Sequence, residues 1–329
     1  YVDRNQLLYH HLWTVNPDGS GVMVYFGNQF KGYAMLDAKP IPGSRSIVAS
    51  FSPGHGRAEH MGYLTVVDPR NGPDDMKMAR RINKRSWRDP YPTSSEHVLA
   101  ADSRGIFLLD HHGREQLVYK PGAGARRLAI HEPRPLRSRP REPLVARRAN
   151  LARATGQLVL ADVRRGRNMK GVKPGEITRL LVLEQLPKPA NFSGGQEPLT
   201  IGGTFTLQRI LGTVPVEADG SANFLVPALK SVFFVGLDDK SRSVKRMQSF
   251  VTVQPGEVTG CVGCHERRTQ APPSRIRARL LATERPPDTI TPIAGFPDVL
   301  DFPRHIQPIL NKHCVSCHNA RQRPKGVDL

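Results

Sequence analysis

The sequence predicts a mainly β protein: a partial β-propeller, then a β-rich middle domain, then the start of a helical third domain. Three observations point there. Short apolar runs alternate with turn residues along most of the chain. Gly and Pro, at 29 each in 329 residues, are abundant enough to punctuate many strands. All four cysteines fall in two short polar stretches of the last third, one of them at the end of an amphipathic helical pattern.

The length suggests two or three domains. Over the first 130 residues, "HLWTVNPDGSGVMVYFGN" reads as strand, turn at Asn16–Gly19, strand. "GYLTVVDPRNGPDD" places a strand at Tyr63–Val67 before turn residues Asp68–Pro73. "HVLAADSRGIFLLDHHGREQLVYKPG" adds three strands divided by an Arg-Gly and a His-Gly turn. Strands that end in Asp before a Gly-containing turn suggest propeller blades of the TolB/WD40 kind. Only two to three blades are present, and the chain opens on "YVDRNQLLYHHLW", so it reads as a fragment or a processed chain.

Residues 131–150 form a basic, proline-rich linker, "HEPRPLRSRPREPLVARR", expected to be extended and solvated. The middle domain is expected over 151–275, with strands near Ala222–Val226, Ser231–Leu237 and Met247–Val253. The first cysteine motif should follow directly on the last of these. A proline-rich connector fills 276–300, and 301–329 opens the third domain. There Phe302, Ile306, Ile309, Leu310 and His313 recur at helical intervals, with Pro308 interrupting or bending the helix.

The formal charge of +19 fits an acidic protein partner, an anionic surface or nucleic acid. No nucleic-acid motif accompanies it, and no apolar run approaches a membrane span of roughly 18–20 residues.

"GCVGCHERRTQAPP" and "NKHCVSCHNARQ" each contain Cys-x-x-Cys-His, at Cys261, Cys264, His265 and at Cys314, Cys317, His318. This is the attachment pattern of haem c. Two thiols add across the vinyl groups, and the adjacent imidazole reaches the iron. The sequence therefore predicts two covalently attached haems, with His265 and His318 as axial ligands. A four-cysteine zinc site is the competing reading. Its pairs would lie 49 residues apart, where zinc ribbons leave about 15–20, and the repeated histidine would have no role. Thioether attachment to haem takes place outside the bacterial cytoplasm, so a periplasmic or other extracytoplasmic location is expected. The second ligands stay open: Met247, His55, His60, His131, His305 and His313 are candidates, and so is an open position.

"ADVRRGRNMKGVKPGEITRLLVLEQLPKPANFSGG", "LGTVPVEADGSANFLVPALKSVFFVGLDDKSRSVKRMQSF" and "QPGEVTGCVGCHERRTQAPP" resemble the middle domain of the planctomycete-type, multihaem hydrazine synthase alpha-subunit-like family. "SFSPGHGRAEHMGYLTVVDPRNGPD" and "HIQPILNKHCVSCH" occur in the same order there. The resemblance implies a six-bladed propeller, a middle domain with one haem c and a C-terminal cytochrome c domain. In that family the middle-domain haem joins a nitric-oxide-derived species to ammonia. Its iron takes a tyrosine shortly after the motif, and the motif histidine binds zinc. Here Thr269 stands near that place, and all seven tyrosines lie at or before Tyr119. The missing tyrosine argues against hydrazine synthesis and leaves His265 to the iron.

The expectation is thus a dihaem redox or electron-transfer subunit, an oxidoreductase component of nitrogen-compound metabolism with no catalytic residue assigned. It would meet an acidic redox partner protein, in a hetero-oligomer. A propeller-based scaffold with sensory or structural haems is the alternative.

Overall fold

The computed structural model describes residues 11–27, 32–53, 61–125, 129–138, 141–166, 169–186, 207–247, 250–264, 279–322 and 324–326. The chain parts at Arg147 and Arg148 into two compact units.

In the first unit a hairpin of β1 (Leu12–Thr14) and β2 (Met23–Phe26) precedes a seven-stranded antiparallel meander. The meander runs β3 (Ala34–Pro40), β4 (Ile47–Ser52), β5 (Gly62–Val67), β6 (Ala79–Pro92), β7 (His97–Asp102), β8 (Gly105–Asp110) and β9 (Glu115–Tyr119). The long β6 divides its pairing: its first part lies against β5 and its last residues against β7. Two four-stranded, blade-like meanders therefore share one strand. The core beneath them holds Val48, Leu64, Trp87, Ala100 and Leu109, each fully buried. Alternation explains the placement, since β8 buries Gly105, Phe107 and Leu109 and half-exposes the residues between.

The Asp that ends these strands has a local task. The carboxylates of Asp68, Asp102 and Asp110 accept hydrogen bonds from the backbone N–H two residues on, at 3.0, 2.8 and 3.0 Å. Each closes the turn that reverses the chain. At Asp110 the carboxylate also accepts from the Arg114 N–H and from its guanidinium. The backbone bond from Arg114 is the largest influence that lowers its pKa, to about 2. The strand this turn returns, β9, is exposed at every residue, so the turn and the ladder carry its pairing. A carboxyl depressed in the folded state stabilises above its unfolded pKa of about 4, and that support fades as pH falls through the folded value. The ¹³C carboxyl shift of Asp110 is expected to titrate near pH 2, with weakened β8–β9 pairing below it. In Asp110→Asn the pairing should be weaker at every pH and should lose this acid dependence.

The second unit is a sandwich of two sheets. One has the order β13 (Ala222–Pro227), β10 (Thr155–Leu160), β16 (Val258–Cys261), with β16 parallel to β10. The other has the order β12 (Leu207–Pro215), β11 (Arg179–Leu186), β14 (Val232–Leu237), β15 (Ser243–Arg246) and is antiparallel. Leu158, Phe224 and Val226 of the first sheet share one core with Val182, Val214 and Val232 of the second. The Phe224 and Phe234 rings meet edge to face at 5.6 Å between centroids, a favoured aromatic geometry.

Two of the three strands expected late in this unit form as read. The described residues of the third do not. The Asp238–Arg242 turn closes early, and the return strand is β15; among the described residues of the expected Met247–Val253 segment there is one bridge, Val251 to Val232, while 248–249 lie outside the described residues. Nor does the first cysteine motif follow that segment directly. A tight turn intervenes, in which the Gly256 N–H donates to Thr155 O and Glu257 N–H to Gln254 O. It sends the chain back alongside β10 as β16, and the motif starts at the end of that added strand.

The proline-rich connector is built into the sandwich from about residue 280. Asp288 exchanges backbone hydrogen bonds with Asn223 and Leu225, and Thr291 does so with Thr213. Arg285 binds Glu217 at 2.6 Å and pairs with Asp288. Beyond it, Phe302–Ile306 forms a π-helical turn and α1 runs Gln307–His313. Pro308 falls in the first turn of α1, where its missing N–H costs nothing. The basic linker is irregular and largely exposed at its described residues. Among the described residues no helix is long and apolar enough to cross a membrane.

Candidate functional site

Cys261 ends the edge strand β16, in register with Leu160 of β10. The loop it begins is held by the turn leaving β10, residues 161–166. Ala161 N–H donates to Cys261 O at 2.8 Å, Asp162 N–H to Val262 O at 3.2 Å, and Cys264 N–H to Arg165 O at 2.7 Å. The two backbones lie so close that both sides need glycine. A Cβ on Gly263 would come within 2.5 Å of Arg165 O, and one on Gly166, at φ 153°, would strike the Cys264 carbonyl. This clasp presents Cys261 and Cys264 half-buried against the sandwich core.

The clasp is charged. Arg164 binds Asp162 through Nε at 2.7 Å and reaches Asp219 O at 2.8 Å. Burial alone would raise the Asp162 pKa; its hydrogen bonds and pairing with Arg164 outweigh that and hold the carboxyl below its usual range. Arg165 lies beside them, its Nε 3.5 Å from Asp162 Oδ2. Asp219 in turn accepts from the Leu281 N–H at 3.0 Å, and Ser221 Oγ from the Ala282 N–H at 3.1 Å. A continuous run of hydrogen bonds thus joins the first motif's loop to the connector that leads to the second.

The second motif is a helical turn. Cys314 caps α1, donating to Leu310 O at 2.8 Å, and its own carbonyl accepts from Cys317 N–H at 3.1 Å and His318 N–H at 2.9 Å. Cys314 and His318 therefore stand one turn apart on one side, both half-buried, while Cys317 is exposed. The Asn319 amide closes the turn by donating to Val315 O, and its carbonyl oxygen receives Arg321 and Gln322 N–H. Phe302 and Ile309, on the helix leading in, are 54% and 56% exposed, so this helix brings an uncovered apolar edge to the motif.

All four cysteines are described and none is in a disulfide. No three of them gather: among the described residues no group of three or more His, Cys, Asp or Glu could hold a metal ion. The four-cysteine zinc arrangement is thus not assembled. The donor set in each motif, two reduced thiols followed by an imidazole, matches the chemistry haem c requires.

His265 lies outside the described residues, as do His55, His60 and Thr269. Of the remaining candidate second ligands, His131 is hydrogen-bonded through Nδ1 to Asp89 at 3.0 Å, within the first unit. His305 accepts the Asp301 N–H on Nδ1 at 2.9 Å and so helps cap the helix. His313 is exposed at the end of α1, and Met247 is half-buried after β15. Sequence reasoning missed Asp162, Arg165 and Gly166. The run "ADVRRG" carried them, but only the fold brings it to the cysteines.

Fold and motifs together define a multidomain β protein whose sandwich displays a Cys-x-x-Cys loop at a sheet edge. Residues 170–266 match the family model described as the hydrazine synthase alpha subunit middle domain. The fold is similar to a solved chain of Kuenenia stuttgartiensis hydrazine synthase, with a TM-score of 0.71 at 18% identity. That similarity covers 95% of this chain and 52% of the other, so the chain spans about half the length of that relative. No curated protein matches the sequence. The resemblance seen in the sequence is borne out: residues 170–266 match the hydrazine synthase alpha-subunit middle-domain model, within a mainly β fold similar to that of hydrazine synthase.

Proposed function

We propose that this chain is a dihaem c-type redox subunit, resembling the alpha subunit of hydrazine synthase but not itself forming hydrazine. One haem is attached at Cys261 and Cys264 and the other at Cys314 and Cys317. The observation that carries the reading is the second motif's turn. The Cys317 and His318 N–H groups both donate to the Cys314 carbonyl, so two thiols and an imidazole stand within one helical turn, where a single group could take all three. When bound, such a group stores and releases one electron per iron. His265 and His318 are the proposed iron ligands. The clasp at Asp162–Gly166 and the cap at Asn319 hold each peptide in place, so attachment does not have to order it.

No tyrosine follows Tyr119 in this sequence, so the first motif has no local phenolate donor, and imidazole donation there supports transfer rather than hydrazine formation. Attachment of this kind puts the protein in the periplasm or an equivalent compartment. The excess of positive charge suits docking on an acidic redox partner within a hetero-oligomer.

The test is the whole protein, expressed in a host able to mature cytochromes. The intact mass is expected to exceed the polypeptide by two haems, and denatured bands should stain for peroxidase activity. Cys261→Ala/Cys264→Ala and Cys314→Ala/Cys317→Ala should each remove one haem. A mass equal to the bare chain would overturn the reading. Binding of carbon monoxide to the reduced first centre would identify it as five-coordinate and open to substrate, rather than a closed relay.

A further inference from the structure

We propose that the guanidinium of Arg165 is the cation that sets the reduction potential of the group held by Cys261 and Cys264; this rests on the haem reading above. Three observations bear on it. The Arg165 backbone is part of the clasp, since its carbonyl accepts the Cys264 N–H at 2.7 Å. A Cβ at Gly263 would approach the Arg165 Cβ to 2.6 Å, so the side chain starts in contact with the motif loop. Its Nε is buried and has no hydrogen-bond partner among the described residues, although Asp162 stands 3.5 Å away. Asp162 takes its short bonds, at 2.7, 3.0 and 3.1 Å, from Arg164. Asp219 also acts on Arg164, so of the two guanidiniums beside the loop Arg165 is the one left incompletely paired.

A salt bridge built only to hold the turn would not need the second arginine. Arg164 already closes it, by bonding both Asp162 and the Asp219 carbonyl. What a fixed cation does at a one-electron centre follows from charge balance. Reduction of ferric iron adds one electron from the reductant and lowers the charge of the centre by one unit. A nearby positive charge stabilises the reduced form relative to the oxidised form and raises the potential. One charge about 10 Å away, through an effective dielectric of about 20, shifts that equilibrium roughly tenfold. At the second motif the turn is closed by the neutral amide of Asn319.

The experiment is a dithionite redox titration of the whole protein and of Arg165→Gln and Arg165→Lys, followed in the haem visible bands, after mass spectrometry has counted the haems. A wild-type chain with fewer than two haems counts against the haem reading itself, before any potential is measured. With two haems present, Arg165→Gln should make the first centre harder to reduce. At a fixed potential its reduced-to-oxidised ratio should fall by about tenfold, the second centre should not move, and Arg165→Lys should stay near wild type. An unshifted first centre in Arg165→Gln overturns the proposal. Equal shifts in the Gln and Lys variants overturn it as well, because geometry rather than charge would then be responsible. Loss of the first haem in both variants assigns Arg165 to folding of the clasp and also overturns it.

Discussion

Gly166→Val is expected to destabilise the second unit by about 3 kcal/mol or more and to reduce haem incorporation at the first motif, leaving the second motif loaded. The reason is the approach of two backbones. Gly166 sits at φ 153°, and any Cβ there would strike the Cys264 carbonyl. Neither partner can yield cheaply, because Cys264 N–H is bonded to Arg165 O and Asp162 N–H to Val262 O in the same clasp. A β-branched residue in a region that L-residues avoid adds its own strain to the collision. Guanidinium unfolding followed by far-UV circular dichroism measures the stability, and intact mass measures the loading. A variant with wild-type midpoint and two haems would show that the clasp is not needed to present Cys261 and Cys264.

Trp87→Ala is expected to cost the first unit about 4 kcal/mol, within the range for removing a buried aromatic side chain. Trp87 is fully buried, its ring lies 5.2 Å from that of Phe107, and its indole N–H donates to Asn83 Oδ1 at 3.0 Å. Truncation therefore opens a cavity at the point where β6 passes from one blade-like meander to the next, and leaves the Asn83 oxygen with only the Arg85 N–H as donor. Both tryptophans and all seven tyrosines belong to the first unit, so aromatic fluorescence reports on that unit alone. Fluorescence-detected unfolding should move to much lower denaturant, with Trp13 as the remaining reporter. Trp87→Phe should restore part of the loss. A small shift for the alanine variant would mean that the two meanders do not depend on one core.

These effects differ in how far they could be read from the residues. The β8 strand and its turn were legible because Phe107 and Leu109 alternate with half-exposed neighbours and Asp110 closes the turn by a bond two residues long. Such signals are local, and local geometry is what a linear pattern records. β15 and β16 were not legible. Ser243–Arg246 is short and polar, and Val258–Cys261 is four residues whose ladder, among the described residues, is with β10, about a hundred residues earlier in the chain. A strand defined by its partner has little period of its own. The docking of the connector was not legible for a similar reason. Its prolines announce an extended path, but the bonds from Asp288 and Thr291 to the sandwich depend on which edges the fold leaves open.

Covalent attachment chemistry needs particular residue types at fixed short spacings, so the chain alone located the two Cys-x-x-Cys-His motifs at which attachment is proposed. It also showed that no tyrosine lies near the first of them in the sequence. Tertiary structure decided what surrounds those positions: that the turn after β10 grips the first loop, that Gly166 and Gly263 make room for it, and that Arg165 is carried to its side. The physical reason is separation. Groups that meet through the parallel pairing of β10 and β16 lie about a hundred residues apart in the chain, and only folding shows that they are neighbours.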